Sequence, residues 1–136
     1  MQKIEFTKSP ITADIDFLTD KLNQETPEFG ESYSFAFFIR DKANQIIAGC
    51  NGSVIFGCIY TDMLWVDKTH RKLGYGKNLM EAVHDYGRKS GCEMAAVATM
   101  TFQGAKSFYE KLGYSVDFER HGYTQNSSCI FLKRSL

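Results

Sequence analysis

Five basic residues, Lys68, His70, Arg71, Lys72 and Lys77, surround two glycines, Gly74 and Gly76, just after the apolar run Leu64-Trp65-Val66. The run reads as the end of a buried strand. Beyond the glycines an amphipathic pattern continues to about Ser90, with Leu79, Met80, Val83 and Tyr86 on one stripe, and Gly91 is placed to end it. The charge at the start of that helix is unusual, because free N–H groups and the macrodipole there favour anions. Cations at a positive helix end make sense with a polyanion between them, and glycines let backbone N–H groups approach it closely. Two accounts fit the stretch: a solvated basic loop whose glycines serve turn geometry, or a cradle for a phosphate-bearing ligand. The spacing matches neither the nucleotide loop G-x-x-x-x-G-K-[ST] nor the dinucleotide fingerprint G-x-G-x-x-G.

The elements that position this loop follow from the rest of the chain. Lys3 to Lys8 alternates Ile4 and Phe6 with polar residues and predicts a first strand, broken by Ser9-Pro10. Thr12 is placed to cap a helix with Ile15, Leu18 and Leu22 on its apolar side. Pro27 and Gly30 bound a loop. From Ile11 to Ser32 there are six acids against one base, Lys21, a local charge of −5. Strands are expected at Tyr33 to Arg40, at Ile46 to Phe56 with Gly49 and Gly52 as bulge positions, and at Cys58 to Val66. Met94 to Ala98 is apolar on both faces, as in a buried parallel strand. With the preceding strand and helix it makes a right-handed βαβ unit. Thr99 or Thr101 is placed to cap a further helix carrying Ala105, Phe108, Tyr109 and Leu112, ended by Gly113. Strands at Val116 to Glu119 and Cys129 to Lys133 close the chain. The class is α+β in a single domain spanning residues 1–136: a mostly antiparallel sheet with a central parallel pair flanked by helices.

Arg71-Lys72-Leu73-Gly74-Tyr75-Gly76 resembles the pyrophosphate-binding motif R/Q-x-x-G-x-G/A of the GNAT N-acetyltransferase superfamily. Ala105-Lys106-Ser107-Phe108-Tyr109-Glu110-Lys111-Leu112-Gly113-Tyr114 resembles that family's second signature, A-x-x-F-Y-x-K-L-G-F/Y, at the usual distance after the first. The element order matches the GNAT fold from end to end, except that the usual second helix before Tyr33 is hard to see. The resemblance implies acetyl-coenzyme A as co-substrate. Its pyrophosphate would lie on Arg71, Lys72, Gly74, Tyr75, Gly76 and Lys77, and its pantetheine amides on backbone groups of Leu64 and Val66. It also implies Tyr109 as the general acid near the coenzyme A sulfur, where the residues alone read as a core aromatic on the helix stripe. The family often has Asn three residues before the alanine; Phe102 stands there, so Gln103 or a backbone group takes over the contact, or it is absent.

The implied reaction is attack of an amine on a thioester. An alkyl amine with pKa near 10.4 is only about 0.04% neutral at pH 7, so its proton needs an acceptor. Asp62, two residues before Leu64 and with Tyr60 as partner, is the candidate base; a salt-bridged or solvent-facing carboxylate, with water as base, is the other reading. The acidic segment would wall the acceptor side and attract a cationic amine, with Glu25, Glu28 or Glu31 contributing; a solvated acidic face is the alternative. A non-catalytic coenzyme A-binding module is the competing function, while nucleotide binding lacks the metal-binding Ser/Thr and carboxylate such sites use.

Sixteen basic and sixteen acidic residues cancel, which removes the electrostatic case for nucleic acid or an anionic membrane. The resemblance implies a small-molecule or peptide amine as partner, with monomer or homodimer left open. Cys50, Cys58, Cys92 and Cys129 form no C-x-x-C pair or zinc spacing and read as buried thiols of a reducing compartment, so no metal is expected. The N-terminus lacks an apolar signal region and the longest apolar run, Phe35 to Ile39, is too short to span a bilayer, so a cytoplasmic location is expected.

Overall fold

The computed structural model describes residues 2–136. Helices are α1 (Thr12–Glu25), α2 (Tyr75–Lys89) and α3 (Lys106–Lys111); strands are β1 (Ser32–Arg40), β2 (Ile46–Ile55), β3 (Cys58–Val66), β4 (Met94–Met100), β5 (Ser115–Arg120) and β6 (Cys129–Ser135). They form one six-stranded sheet in the order β1-β2-β3-β4-β6-β5. Every neighbouring pair is antiparallel except β3 and β4. The mixed α+β architecture is the expected one.

Alternation along β2 puts Ala48, Cys50 and Val54 inside, where they join Leu79, Met80 and Val83 of α2 and Ile59, Val97, Ile130 and Leu132 of the central strands. α2 thus docks its apolar stripe on one sheet face. Phe35 and Phe37 of β1 extend this layer, each ring about 6 Å from that of Tyr86 (5.9 and 6.0 Å).

Two irregularities shape the other features. The parallel ladder between β3 and β4 ends at Thr61↔Val97, although β3 continues to Val66 and β4 to Met100, so the strands part there. Against β2, Gly52 pairs with Thr61 and Asn51 with Met63, which leaves Asp62 as the extra residue of a bulge. Gly52 suits that spot because a Cβ there would lie 1.8 Å from the Tyr60 carbonyl oxygen. The other expected bulge position, Gly49, pairs regularly with Trp65.

Three expectations about local structure are corrected. Lys3 to Lys8 is not a strand: Ile4 and Phe6 are 94% and 82% exposed and β1, at the sheet edge, pairs only with β2. Alternation without a ladder partner or a surface to cover does not make a strand. Thr12 does not cap α1; Ile11 precedes the helix and its carbonyl accepts from Asp14 and Ile15, and Ile15, Leu18 and Leu22 stay 47–65% exposed. Neither Thr99 nor Thr101 caps α3, which Ala105 precedes; Thr99 belongs to β4, and Thr101 opens a 3-10 turn ending at Gln103. Before β1, only the 3-10 turn Pro27–Phe29 stands where a second helix was sought.

All four cysteines are free; Cys50, Cys92 and Cys129 are buried and Cys58 half-buried. Burial raises the Cys50 thiol to about 11, so it stays protonated and inert at neutral pH. Among the described residues no helix is long and apolar enough to cross a membrane, and no cluster of three or more His, Cys, Asp or Glu side chains could hold a metal ion.

Candidate active site

Where β3 and β4 part, a cleft of 840 Å³ opens. One wall is Asp62 to Val66; the opposite wall is Ala98, Thr99, Gln103, Ala105, Phe108 and Tyr109; the end is closed by His70 to Lys77. The residues expected to hold the cofactor, together with the candidate acid and base, are in one cavity: Asp62, Leu64, Val66, Arg71, Lys72, Gly74, Tyr75, Gly76, Lys77, Gln103 and Tyr109; Tyr60, the expected partner of Asp62, is not among its lining residues. Phe108, Thr99, Ala98 and Gly104 also line it and sequence reasoning missed them. Phe108 alone carried a legible signal, since it precedes Tyr109 in the second motif.

The basic loop is built by its own hydrogen bonds. Asp67 accepts from the Thr69 N–H (3.2 Å), the Thr69 hydroxyl and His70 Nδ1 (2.9 Å). The bonds from Thr69 and then His70 hold its carboxyl below the usual range. Arg71 Nε donates to the Val66 carbonyl at 2.9 Å, tying the loop back to the strand it leaves. Gly74, at φ +88°, makes the left-handed turn into α2. The first intrahelical bond runs from Asn78 N–H to the Gly74 carbonyl. The N–H groups of Tyr75, Gly76 and Lys77 thus have no acceptor within the helix. No side chain caps this end and no acid stands in its first turn. Free donors, a positive dipole end and Arg71, Lys72 and Lys77 converge on one spot, and that donor set fits a pyrophosphate.

Backbone direction follows from the ladder. Asp67 N–H donates to the Ile47 carbonyl on the β2 side (2.7 Å), so Val66 and Leu64 point their backbone groups the other way, into the gap. There the Val66 carbonyl already accepts from Arg71. Gln103 folds its side chain back onto the start of its own turn: its Oε1 accepts from the Thr99 hydroxyl (3.1 Å) and from Met100 N–H (2.8 Å). Its side-chain oxygen is committed to shaping the turn before α3.

Tyr109 is buried, 6% exposed, yet lines the cleft. Its ring meets Phe108 edge-on at 5.1 Å and Tyr114 at 5.6 Å. Burial first, then Cys50 and Tyr60, push its phenol up to about 12. It is both the core aromatic and the cleft residue that the sequence offered as alternatives. Burial, then the charge of Asp62, also raises Tyr60, so both phenols hold their protons at neutral pH.

A second cavity of 690 Å³ adjoins the first and shares one residue with it, Asp62. None of the acids between residues 11 and 32 lines either cavity, where Asp62 is the sole carboxylate; α1 contributes only Thr12.

The parted strands, the glycine loop at a helix N-terminus and the buried tyrosine define a class, and comparison with known proteins gives the same one. Residues 5–114 match the model of the acetyltransferase (GNAT) family, and the chain belongs to that family. A blasticidin-S acetyltransferase of Streptomyces morookaense is 31% identical over 81 residues, 59% of this chain and 59% of that protein. The chain thus matches less than two thirds of that curated relative's length. Among solved structures, an acetyltransferase from Bacillus cereus superposes with a TM-score of 0.74 at 20% identity, over 97% of this chain and 98% of that one. The ribosomal-protein-S18-alanine N-acetyltransferase of Escherichia coli gives 0.69 at 17% identity, over 94% and 91%. At those identities the likeness is one of fold.

Proposed function

We propose that this chain is an acetyl-coenzyme A-dependent N-acetyltransferase acting on a primary amine of a small molecule or peptide. One observation carries the reading: the anion cradle at α2, the backbone edge of Leu64 and Val66 that has no strand partner on this side, and Tyr109 open onto the same cleft as Asp62. Bound there, acetyl-coenzyme A supplies a thioester acetyl group.

Each residue has a task in that reaction. The N–H groups of Tyr75, Gly76 and Lys77, with Arg71 and Lys72, bind the pyrophosphate. Leu64 and Val66 orient the pantetheine arm by their backbone groups, and Gln103 shapes the facing turn. Asp62 takes the proton of the attacking amine, and Tyr109 gives its proton to the leaving sulfur as the C–S bond breaks. A phenol at about 12 and a thiol near 8.5 make a full proton transfer uphill by roughly 3.5 units, about 5 kcal/mol. The hydrogen bond from Tyr109 therefore strengthens as charge develops on the sulfur, and the proton crosses only once the C–S bond has broken and the sulfur is at its most basic.

For the acceptor, the blasticidin-S relative supports a small amine-bearing molecule. The test is calorimetry of acetyl-coenzyme A binding, followed by mass spectrometry of an amine panel containing blasticidin S, spermidine and a lysine peptide. Cofactor binding with a mass gain of one acetyl group on a panel amine supports the proposal; binding without transfer to any amine would make the chain a coenzyme A-binding module.

A further inference from the structure

The sheet face turned away from α2 carries a polar row where a core would carry apolar side chains. Ser34 of β1 pairs with Ser53 of β2, and Ser53 with Tyr60 of β3. One step along, Asn51 lies between Ala36 and Met63. Ser34, Ala36, Asn51, Ser53 and Tyr60, with Thr12 and the bulged Asp62, line the second cavity. Within it the Asn51 side-chain oxygen is buried and has no hydrogen-bond partner. A buried carbonyl oxygen without a donor costs stability, and an apolar residue of the same shape would avoid that cost. An amide kept in this state beside an open cavity is poised for a donor that arrives from outside.

We infer that the second cavity is the acceptor subsite and that Asn51 is its specificity-determining residue. Its oxygen accepts a hydrogen bond from an amide N–H or hydroxyl that the acceptor carries next to its reacting amine. The inference rests on the acetyl-transfer reading for its chemistry. Asp62 supplies the link, because it lines both cavities: an amine held at Asp62 has its donor-bearing neighbour over Asn51 and its nitrogen facing the cleft of Tyr109. The class of substrate is a polar amine rich in hydrogen-bond donors, not an arylamine or a simple alkylamine. A pocket built to pair a donor discriminates strongly against the analogue that lacks it, since the pocket's own buried acceptor is then left bare.

The test uses a matched pair of probes, glycinamide and N,N-dimethylglycinamide, on the full-length wild type and on Asn51→Leu and Asn51→Asp. Wild type should prefer glycinamide in kcat/KM by about tenfold or more. Asn51→Leu should bring that ratio to within about twofold of unity, while Asn51→Asp, which keeps an acceptor, should retain the preference. The Asn51→Leu midpoint of thermal unfolding should be unchanged or higher, because no protein bond is lost. Separately from turnover, the Asn51 side-chain amide signal of the ¹⁵N-labelled protein should move on titration with glycinamide and stay still with the dimethyl probe. A wild-type ratio that persists in Asn51→Leu, or a fall of several degrees in its unfolding midpoint, would overturn the assignment. If glycinamide moves the Asn51 signal but neither the probes nor any amine of the panel is acetylated, the subsite stands and the acetyl-transfer reading fails. If both probes are acetylated equally by wild type and Asn51→Leu, the reading stands and the subsite fails. If the signal is still and neither the probes nor the panel amines are acetylated, both are lost.

Discussion

Arg71 Nε donates its hydrogen bond to the carbonyl of Val66, five residues back, at 2.9 Å. This cation of the basic loop is thereby fixed to the last residue of β3, with the other guanidinium nitrogens left to meet an anion. A lysine cannot copy this, because a single ammonium cannot bond the strand and present a planar fork at once. Calorimetry should show acetyl-coenzyme A affinity falling about 10- to 100-fold in Arg71→Ala, with Arg71→Lys in between.

Gly76 gives a sharper version of the same test. A Cβ there would come within 3.3 Å of the Phe108 ring, so Gly76→Ala measures crowding alone. Gly76→Asp adds a negative charge among the pyrophosphate donors, where loss of two charged bonds is worth roughly 3–6 kcal/mol. Its affinity for coenzyme A should therefore fall well below that of Gly76→Ala. Equal binding by the two variants would mean that the pyrophosphate lies elsewhere.

A pH dependence of stability follows from His84, 4% exposed on α2 and 2.7 Å from the Tyr114 hydroxyl. Burial first, then Arg134, lowers its pKa to about 4. The unfolded state, near 6.5, binds the proton more readily than the folded one between these values. The contribution is thus present above pH 6.5 and lost as pH falls toward 4, up to about 3 kcal/mol. Urea unfolding at pH 4.5 and 7 should show a smaller acid loss in His84→Gln than in wild type, whatever the common contribution of carboxylates.

The acidic segment makes a weaker prediction than its charge of −5 suggested. Glu25, Glu28 and Glu31 line neither cavity, so they act on a cationic amine only through the long-range field. A Glu25/Glu28/Glu31→Gln triple variant should raise KM for such an amine by about two- to threefold at low salt and not at all near physiological ionic strength. A larger, salt-insensitive rise would place these side chains in direct contact with the acceptor.

How far the sequence was legible depends on what each residue answers to. The strands and α2 were readable because burial on one face writes a period into the chain, as Ala48, Cys50 and Val54 or Leu79, Met80 and Val83 do. The cleft residues were readable because two motifs place them at fixed offsets. Residues 3–8 carry the alternation of a strand, but pairing is a property of a neighbour, and nothing in Ile4 or Phe6 reports that none is there. Thr99 looked like a helix cap because caps are local, whereas its hydroxyl bonds Gln103, across the end of a strand. Asn51 was illegible as a functional residue, because an unpaired buried oxygen exists only once three strands have been brought into register.

Tyr109→Phe isolates the proposed protonation of the leaving sulfur, because the ring and its contacts with Phe108 and Tyr114 remain. Single-turnover and steady-state kinetics of this variant should show kcat reduced about 10²- to 10⁴-fold, with acetyl-coenzyme A affinity within about twofold of wild type. With the phenol held up to about 12, wild-type kcat should show no loss from its ionisation up to about pH 10. An unchanged kcat in Tyr109→Phe would contradict the account and leave Tyr109 as a residue of the core.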